Sequence, residues 1–282
     1  MRTIAIINQK GGVGKTTTSV NLSAALAAMG QRVCVVDLDP QAHATLHLGI
    51  APNRDDPSVY DVLTGPAALA DVRCRVNDQL WVVGSHIDLA AAEVELAGVV
   101  GREMILRDKL RNDREEFDLL LVDCPPSLGV LTLNALSAVD EVIIPLQPHF
   151  LALHGLGKLL ETIELVRQRI NPRLRVTGIV LCMFDGATKL ASEVSQDVED
   201  FLAHAREMKT PWSQAELFQT RVRKNIRLAE APSFGQSIFD YAADSNGAAD
   251  YLALAHEIFF ERRASETPEG QATEHATSVS RS

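Results

Sequence analysis

A short apolar run, "TIAII" at 3–7, leads directly into "NQKGGVGKTTT" at 8–18, and alanines and leucines at helical spacing follow as far as Met29. Strand, glycine-rich turn and helix in that order form a phosphate-binding loop. Backbone N–H groups left unobstructed at Gly11, Gly12 and Gly14 point into a concavity, with the positive end of the helix dipole behind them. The pattern G-x-x-x-x-G-K-[ST] is met at Gly14, Lys15 and Thr16, although Gln9 stands where its first glycine belongs. In such loops the lysine lies against the β and γ phosphates and the hydroxyl of the next residue can coordinate Mg²⁺. Val13 and Thr17 complete the candidate phosphate-contacting stretch. By average composition the general pattern arises by chance in a chain this long about once in a hundred, and K-G-G-x-G-K-[ST] below about one in ten thousand. Lys10 is left over: a loop lysine in water, or a second cation for a phosphate.

The rest of the chain supplies a sheet for this loop. Apolar, β-branched runs recur at 32–37 "RVCVVD", 80–84 "LWVVG", 118–123 "DLLLVD", 141–146 "EVIIPL" and 175–184 "RVTGIVLCMF", and further helices fit 151–170, 189–205 and 247–262. Continuous apolar strands alternating with helices predict an α/β, single-domain P-loop NTPase with a mostly parallel twisted sheet and helices on both faces. The helix from Lys15 should stop at Gly30, a residue suited to the left-handed position that ends helices. Segment 50–75, holding Pro52, Pro57 and Pro66, is expected to be less regular. One domain over 1–262 is the economical reading, and 263–282, nearly without large apolar residues, reads as a disordered polar tail.

Strand ends bring the carboxylates such a site needs. "VVDLDPQ" carries Asp37 and Asp39, and "LLLVDCPP" carries Asp123 after an apolar run. Asp123 is expected to hold Mg²⁺ or its waters, and one of the first pair to position water. His43 and His47 are four apart, but two histidines do not make a metal site.

Charge limits the partners. With 27 Lys and Arg against 37 Asp and Glu, the net charge of −10 repels nucleic acid and anionic membrane, so any DNA contact needs a local basic patch. The best candidate is "RVRKNIR" at 221–227, with Arg221, Arg223, Lys224 and Arg227 and no acid among them. It is either a solvated face or a patch that neutralises a few phosphates without reading sequence. Four cysteines without a C-x-x-C pair, the lack of a leader-like N-terminus and the lack of a run of about 20 apolar residues lead us to expect a cytoplasmic chain.

Read together, "INQKGGVGKTTTSVNLSAALA", "VVDLDPQAHATLHLG", "GSHIDLAAAEVEL", "FDLLLVDCPPSLGVLTLNAL", "GIVLCMFDGATKLASEV" and "KNIRLAEAPSFGQSI" resemble the ParA/Soj branch of the deviant Walker A ATPases, which also includes MinD and the nitrogenase iron protein. The resemblance runs over nearly the whole chain except the tail. It implies a homodimer formed in the ATP-bound state, two subunits sandwiching two ATP molecules, with Lys10 reaching the partner's phosphates. It further implies Lys10, Lys15 and Asp39 as catalytic residues, Asp39 orienting the attacking water, and Thr16, Asp39 and Asp123 as the Mg²⁺ set. Arg223 and Asn225 would flank the base, and nonspecific double-stranded DNA would meet Arg221, Arg223, Lys224 and Arg227. A ParB-type centromere-binding protein would stimulate weak hydrolysis, on the nucleoid and not on membrane.

The chain departs from the family pattern twice: Arg223 replaces a proline beside the base, and Ala187 stands where relatives often carry an arginine, with Lys189 nearby. Alternatives are a MinD-like ATPase, which would need an apolar face in the polar tail, an ATPase positioning a protein cluster or organelle, and a biosynthetic amide ligase.

Overall fold

The computed structural model describes residues 1–113, 117–149 and 152–261; the polar tail predicted at 263–282 lies outside them. Among the described residues one sheet contains β1 (Arg2–Ile6), β2 (Val33–Asp37), β3 (Arg73–Arg75), β4 (Leu80–Val83), β5 (Leu119–Asp123), β6 (Glu141–Leu146), β7 (Arg175–Phe184) and β8 (Glu216–Arg223). Their spatial order is β3-β4-β2-β5-β1-β6-β7-β8, and every pairing is parallel except β3 with β4.

The central strands are apolar throughout because both faces are covered. Ile4 and Ile6 pack into one core with Val33, Val35, Leu119 and Leu121, while Ala5, Cys34, Val36, Leu120 and Val122 enter the other. Helix α1 (Lys15–Ala28) and the helix Asn246–His256 cover the first face; Val130–Ala138, Ala152–Arg169 and Lys189–Ala205 cover the second. Truncating Ile4, wholly buried among these groups, to alanine should cost about 2–5 kcal/mol. The α/β architecture with helices on both faces is as expected. Gly30 ends α1 at φ +82°, in the left-handed region, as the sequence required.

The differences have local causes. β8 falls on "ELFQTRVR", where polar residues interrupt the apolar run because an edge strand is covered less completely. β3 is a three-residue antiparallel edge, too short to leave a pattern. Segment 50–75 is more ordered than expected. Val59–Thr64 is a helix whose first turn is closed by Ser58, with Tyr60 N donating to Ser58 Oγ and Ser58 N to Asp61 Oδ2. No described helix is long and apolar enough to cross a membrane.

Parallel pairing fixes where chemistry can happen. β1 lies between β5 and β6, so the connections leaving it and its neighbours diverge and open a crevice at the carboxyl ends of the strands. Register places Asp37 of β2 opposite Asp123 of β5, and Ile6 of β1 opposite Asp123 as well.

Candidate functional site

Asn8 anchors the loop at its start. Its Nδ2 donates to the Pro145 carbonyl of β6 at 2.7 Å, and its Oδ1 accepts from Lys10 N at 3.0 Å. The chain then turns through left-handed glycines, Gly12 at φ +74° and Gly14 at φ +92°; a Cβ on Gly14 would also lie 3.3 Å from Cys182 Cβ. Behind the turn, α1 is tied down by Thr18, whose hydroxyl lies 3.1 Å from the buried Tyr251 hydroxyl. Lys15 is only 7% exposed and donates through Nζ to the Lys10 carbonyl at 3.0 Å. Burial lowers its pKa, and the negative field of Asp123 and Asp39 works against that shift.

Asp123 lies beneath the loop, fully buried, accepting from Thr16 Oγ1 at 2.8 Å and from Ser19 Oγ at 2.7 Å. Burial, then the nearby Asp37, pushes its pKa up to about 7. Its hydrogen-bond donors are two neutral hydroxyls, and it shares the charge of Lys15 with Asp39, which suits a further cation held through Thr16. Asp37 is committed elsewhere. It accepts from Thr45 Oγ1 at 2.7 Å, Thr45 N at 2.9 Å and Asp39 N at 3.1 Å, bracing the 39–45 turn, while burial raises its pKa to about 6. Asp39 is the member of the pair that reaches the crevice, with Oδ1 accepting from Gln41 N at 2.9 Å.

A cavity of about 610 Å³ joins the two ends of the candidate site. Gly11, Gly12, Gly14, Lys15, Thr16, Thr17 and Asp39 line one part; Met183, Arg223, Lys224 and Asn225 line the other. Three expected members do not line it: Asp123, fully buried beneath the loop, Val13 and Lys10. Val13 turns its side chain into the protein, 1% exposed, so only its backbone can serve a phosphate. Lys10 is exposed and does not line the cavity, and its Nζ lies 2.6 Å from His149 Nε2.

The fold surrounds the basic stretch with acids from elsewhere in the chain. Its sequence contains no acid, yet the fold brings one to three of its four cations. Arg221 lies 3.8 Å from Glu199, Arg223 is paired with Asp250 at 2.6 Å, and Arg227 with Glu230 at 2.9 Å. Lys224 is exposed, and among the described residues no ion pair engages it. Asn225 uses Oδ1 to cap the helix Ile226–Glu230, accepting from Arg227 N at 2.8 Å, which leaves Nδ2 as its donor. Lys189 is exposed and faces Glu193 at 3.1 Å.

Several site residues escaped the sequence reading. Ser19 lies one helical turn after Thr16, a spacing that could have flagged a second hydroxyl for Asp123. Asn8, Gln41 and Met183 carry no motif. Met183 lines the cavity at φ +52°, a left-handed conformation costly for a residue with a side chain. His43 also lines the cavity, whereas His47 is buried and its pKa falls to about 4 because burial disfavours the charged ring. No group of three or more metal-ligating His, Cys, Asp or Glu side chains occurs among the described residues.

Comparison with known proteins places this geometry. A family model described as an AAA domain matches residues 1–176. The sporulation initiation inhibitor protein Soj of Bacillus subtilis is 43% identical over 90% of this chain and 97% of its own length. The chromosome-partitioning ATPase Soj of Thermus thermophilus is 45% identical over 92% and 95%. Among solved structures, cobyrinic acid a,c-diamide synthase from Mycobacterium smegmatis, with bound ATP analog and magnesium, superposes with a TM-score of 0.78 at 35% identity, covering 94% of this chain and 97% of that one. With its phosphate loop, paired strand-end aspartates and near-full-length identity to two Soj proteins, the chain belongs to the ParA/Soj family of partitioning P-loop ATPases.

Proposed function

We propose that this chain is an ATP- and Mg²⁺-dependent ATPase of DNA segregation that dimerises on ATP, binds double-stranded DNA without sequence preference and hydrolyses slowly until a ParB-type partner stimulates it. The observation that carries the reading is the opposite placement of two lysines on one loop. Lys15 is buried against its own carboxylates, and Lys10, five residues earlier, is exposed outside the cavity.

Lys15 and the backbone N–H groups of Gly11 to Thr16 serve the chain's own phosphates, with the α1 dipole adding a fixed positive potential. Thr16 and Asp123 would hold Mg²⁺, which would supply positive charge against the charge that develops on the phosphates. Asp39 orients the attacking water. Lys10 leaves His149 and reaches the phosphates of a second subunit. A cation from another chain is stabilised only when the γ-phosphate provides negative charge, so ATP favours the dimer and ADP releases it. Dimerisation then presents two weak basic stretches in one rigid frame, which raises avidity for DNA despite the net charge of −10.

The likeness to a diamide synthase is the observation that favours a second reading, amide ligation on the same fold. Sedimentation with arbitrary duplex DNA, in ATP against ADP, tests the first. The parent should pellet with DNA in ATP only, in a salt-sensitive manner, and Lys10→Ala should not. Equal DNA binding in both nucleotides would sink the proposal. Turnover that depends on a small carboxylic acid, without DNA or partner, would establish the second.

A further inference from the structure

We infer that His149 is the positioning residue of Lys10: it holds that side chain clear of its own chain's cavity until a second subunit takes it, and so sets how readily ATP drives the dimer. The inference rests on the reading of Lys10 as a residue that crosses the dimer. Lys10 Nζ lies 2.6 Å from His149 Nε2, a group 139 positions away in sequence. An ammonium carries donors only, so Nε2 accepts, and the ring is neutral with its proton on Nδ1. Burial, and then the charge of Lys10, lowers the pKa of the ring and favours this form.

Both partners are held by their backbones, which leaves the side chain of Lys10 as the part that can move. Lys10 N donates to Asn8 Oδ1 at 3.0 Å, and the Lys10 carbonyl accepts from Lys15 Nζ at 3.0 Å. Asn8 in turn donates through Nδ2 to the Pro145 carbonyl of β6 at 2.7 Å. His149 lies just past β6, and its carbonyl accepts from Ala152 N at 2.9 Å, at the start of the helix Ala152–Arg169. One strand end therefore fixes the loop backbone and also carries the acceptor for its lysine. A Lys10 turned into its own cavity would neutralise phosphates in the monomer and uncouple nucleotide from association. The contact with His149 is exposed and involves a neutral acceptor, so a charged phosphate from a second subunit outcompetes it.

An exposed hydrogen bond of this kind changes a population about two- to threefold, and a dimer requires two released lysines, so the factor enters twice. Sedimentation velocity of the full chain with Mg²⁺ and the non-hydrolysable analogue AMPPNP measures the dimer dissociation constant. His149→Ala should tighten the dimer about fivefold, whereas His149→Gln, which keeps an acceptor for Nζ, should stay within about twofold of the parent. In a Lys10→Ala background, His149→Ala should bring no gain. Ring-nitrogen NMR of His149 in the nucleotide-free chain gives a readout independent of association: Lys10→Ala should move the Nε2 signal and raise the titration midpoint of the ring. Thermal melting qualifies each variant, and His149→Leu, bulky and without an acceptor, takes the place of His149→Ala if that variant melts early. An unchanged or weaker dimer on loss of the acceptor overturns the inference, as does an equal gain without Lys10 or a ring signal indifferent to Lys10→Ala. A parent that stays monomeric with AMPPNP defeats the dimer reading and the threshold with it, while the ring signal separately decides whether His149 holds Lys10.

Discussion

The two ends of the cavity are built by opposite rules. At the phosphate end, charges are brought together and buried with little compensation: Lys15, Asp37, Asp39 and Asp123 are all under 9% exposed, and Asp123 has hydroxyls as its donors. Along the stretch that supplies the far end, where Arg223 lines the cavity and Arg221 and Arg227 flank its lining residues, each of the three arginines is brought beside an acid on another part of the fold or the next helical turn. The first arrangement stores electrostatic demand that a nucleotide and a cation can satisfy. The second has already satisfied most of its demand, so its residues act through shape and position more than through charge. A basic run in sequence is therefore a weaker guide to an anion site than a lysine in a glycine loop.

The sharpest break in that comparison comes at Lys15. Lys15→Ala removes the one buried cation from the carboxylate cluster, and ATP hydrolysis should fall on the order of a hundredfold or more, with nucleotide affinity reduced alongside it. Single-turnover hydrolysis and direct binding separate the two losses; retention of parental turnover would mean the loop does not hold the reacting phosphates. Asp39→Ala should leave ATP binding, and with it the dimerisation proposed above, in place and slow hydrolysis by about a hundredfold, because Asp39 and not Asp37 reaches the cavity. Asp37→Asn acts differently. Its acceptors hold Thr45 and the 39–45 turn, so its effect should appear first in thermal stability.

The stored demand at Asp123 should also be visible in pH. Its folded pKa of about 7 exceeds its ordinary value of 3.8, so the folded chain binds this proton more tightly than the unfolded chain does. The associated stability is complete below about pH 4 and is lost as pH rises through about 7, and Asp37, raised to about 6, adds to the same slope. Melting of the nucleotide-free chain should therefore move down between pH 5.5 and pH 8, and Asp123→Asn should flatten that change. His47 opposes it on the acid side, since its folded pKa of about 4 lies below 6.5 and its contribution is lost as pH falls through that interval. Mg²⁺ needs the ionised carboxylate, so Mg²⁺-nucleotide affinity should fall as pH drops below about 7. An affinity constant from pH 8 to pH 5.5 would remove Asp123 from the metal site.

Legibility in the sequence divides along the same line. The strands bearing the site were readable because "TIAII", "RVCVVD" and "DLLLVD" are buried on both faces, and the loop was readable because its chemistry demands particular residues at fixed spacing. Asp39 and Asp37 could not be separated by pattern, since both lie at a strand end; only the turn that takes Thr45 back to Asp37 distinguishes them. β8 was missed because an edge strand needs no continuous apolar run, and with it went the surroundings of Arg221 and Arg223. The pairing of Arg223 with Asp250 spans 27 positions, and that of Arg221 with Glu199 joins β8 to the helix Lys189–Ala205. No local pattern encodes such contacts.

The smallest effect discriminates most finely within the basic stretch. If compensation governs it, Lys224 should contribute more to DNA binding than Arg227 although the two carry the same formal charge. Lys224→Ala should weaken binding to all duplex sequences alike and reduce the slope of log affinity against log salt by about one per protomer. Arg227→Ala should change that slope less, because Glu230 already lies 2.9 Å from its guanidinium and also accepts from Tyr241. Removing the acid gives the complementary result: Glu230→Gln should increase DNA affinity and steepen the salt dependence, provided Arg227 faces the duplex. Salt titrations of the ATP-bound chain on two unrelated duplexes measure all three variants. Equal slopes for Lys224→Ala and Arg227→Ala would show that the neighbouring acids do not set the strength of this surface, and the contrast between the two ends of the cavity would then be one of burial alone.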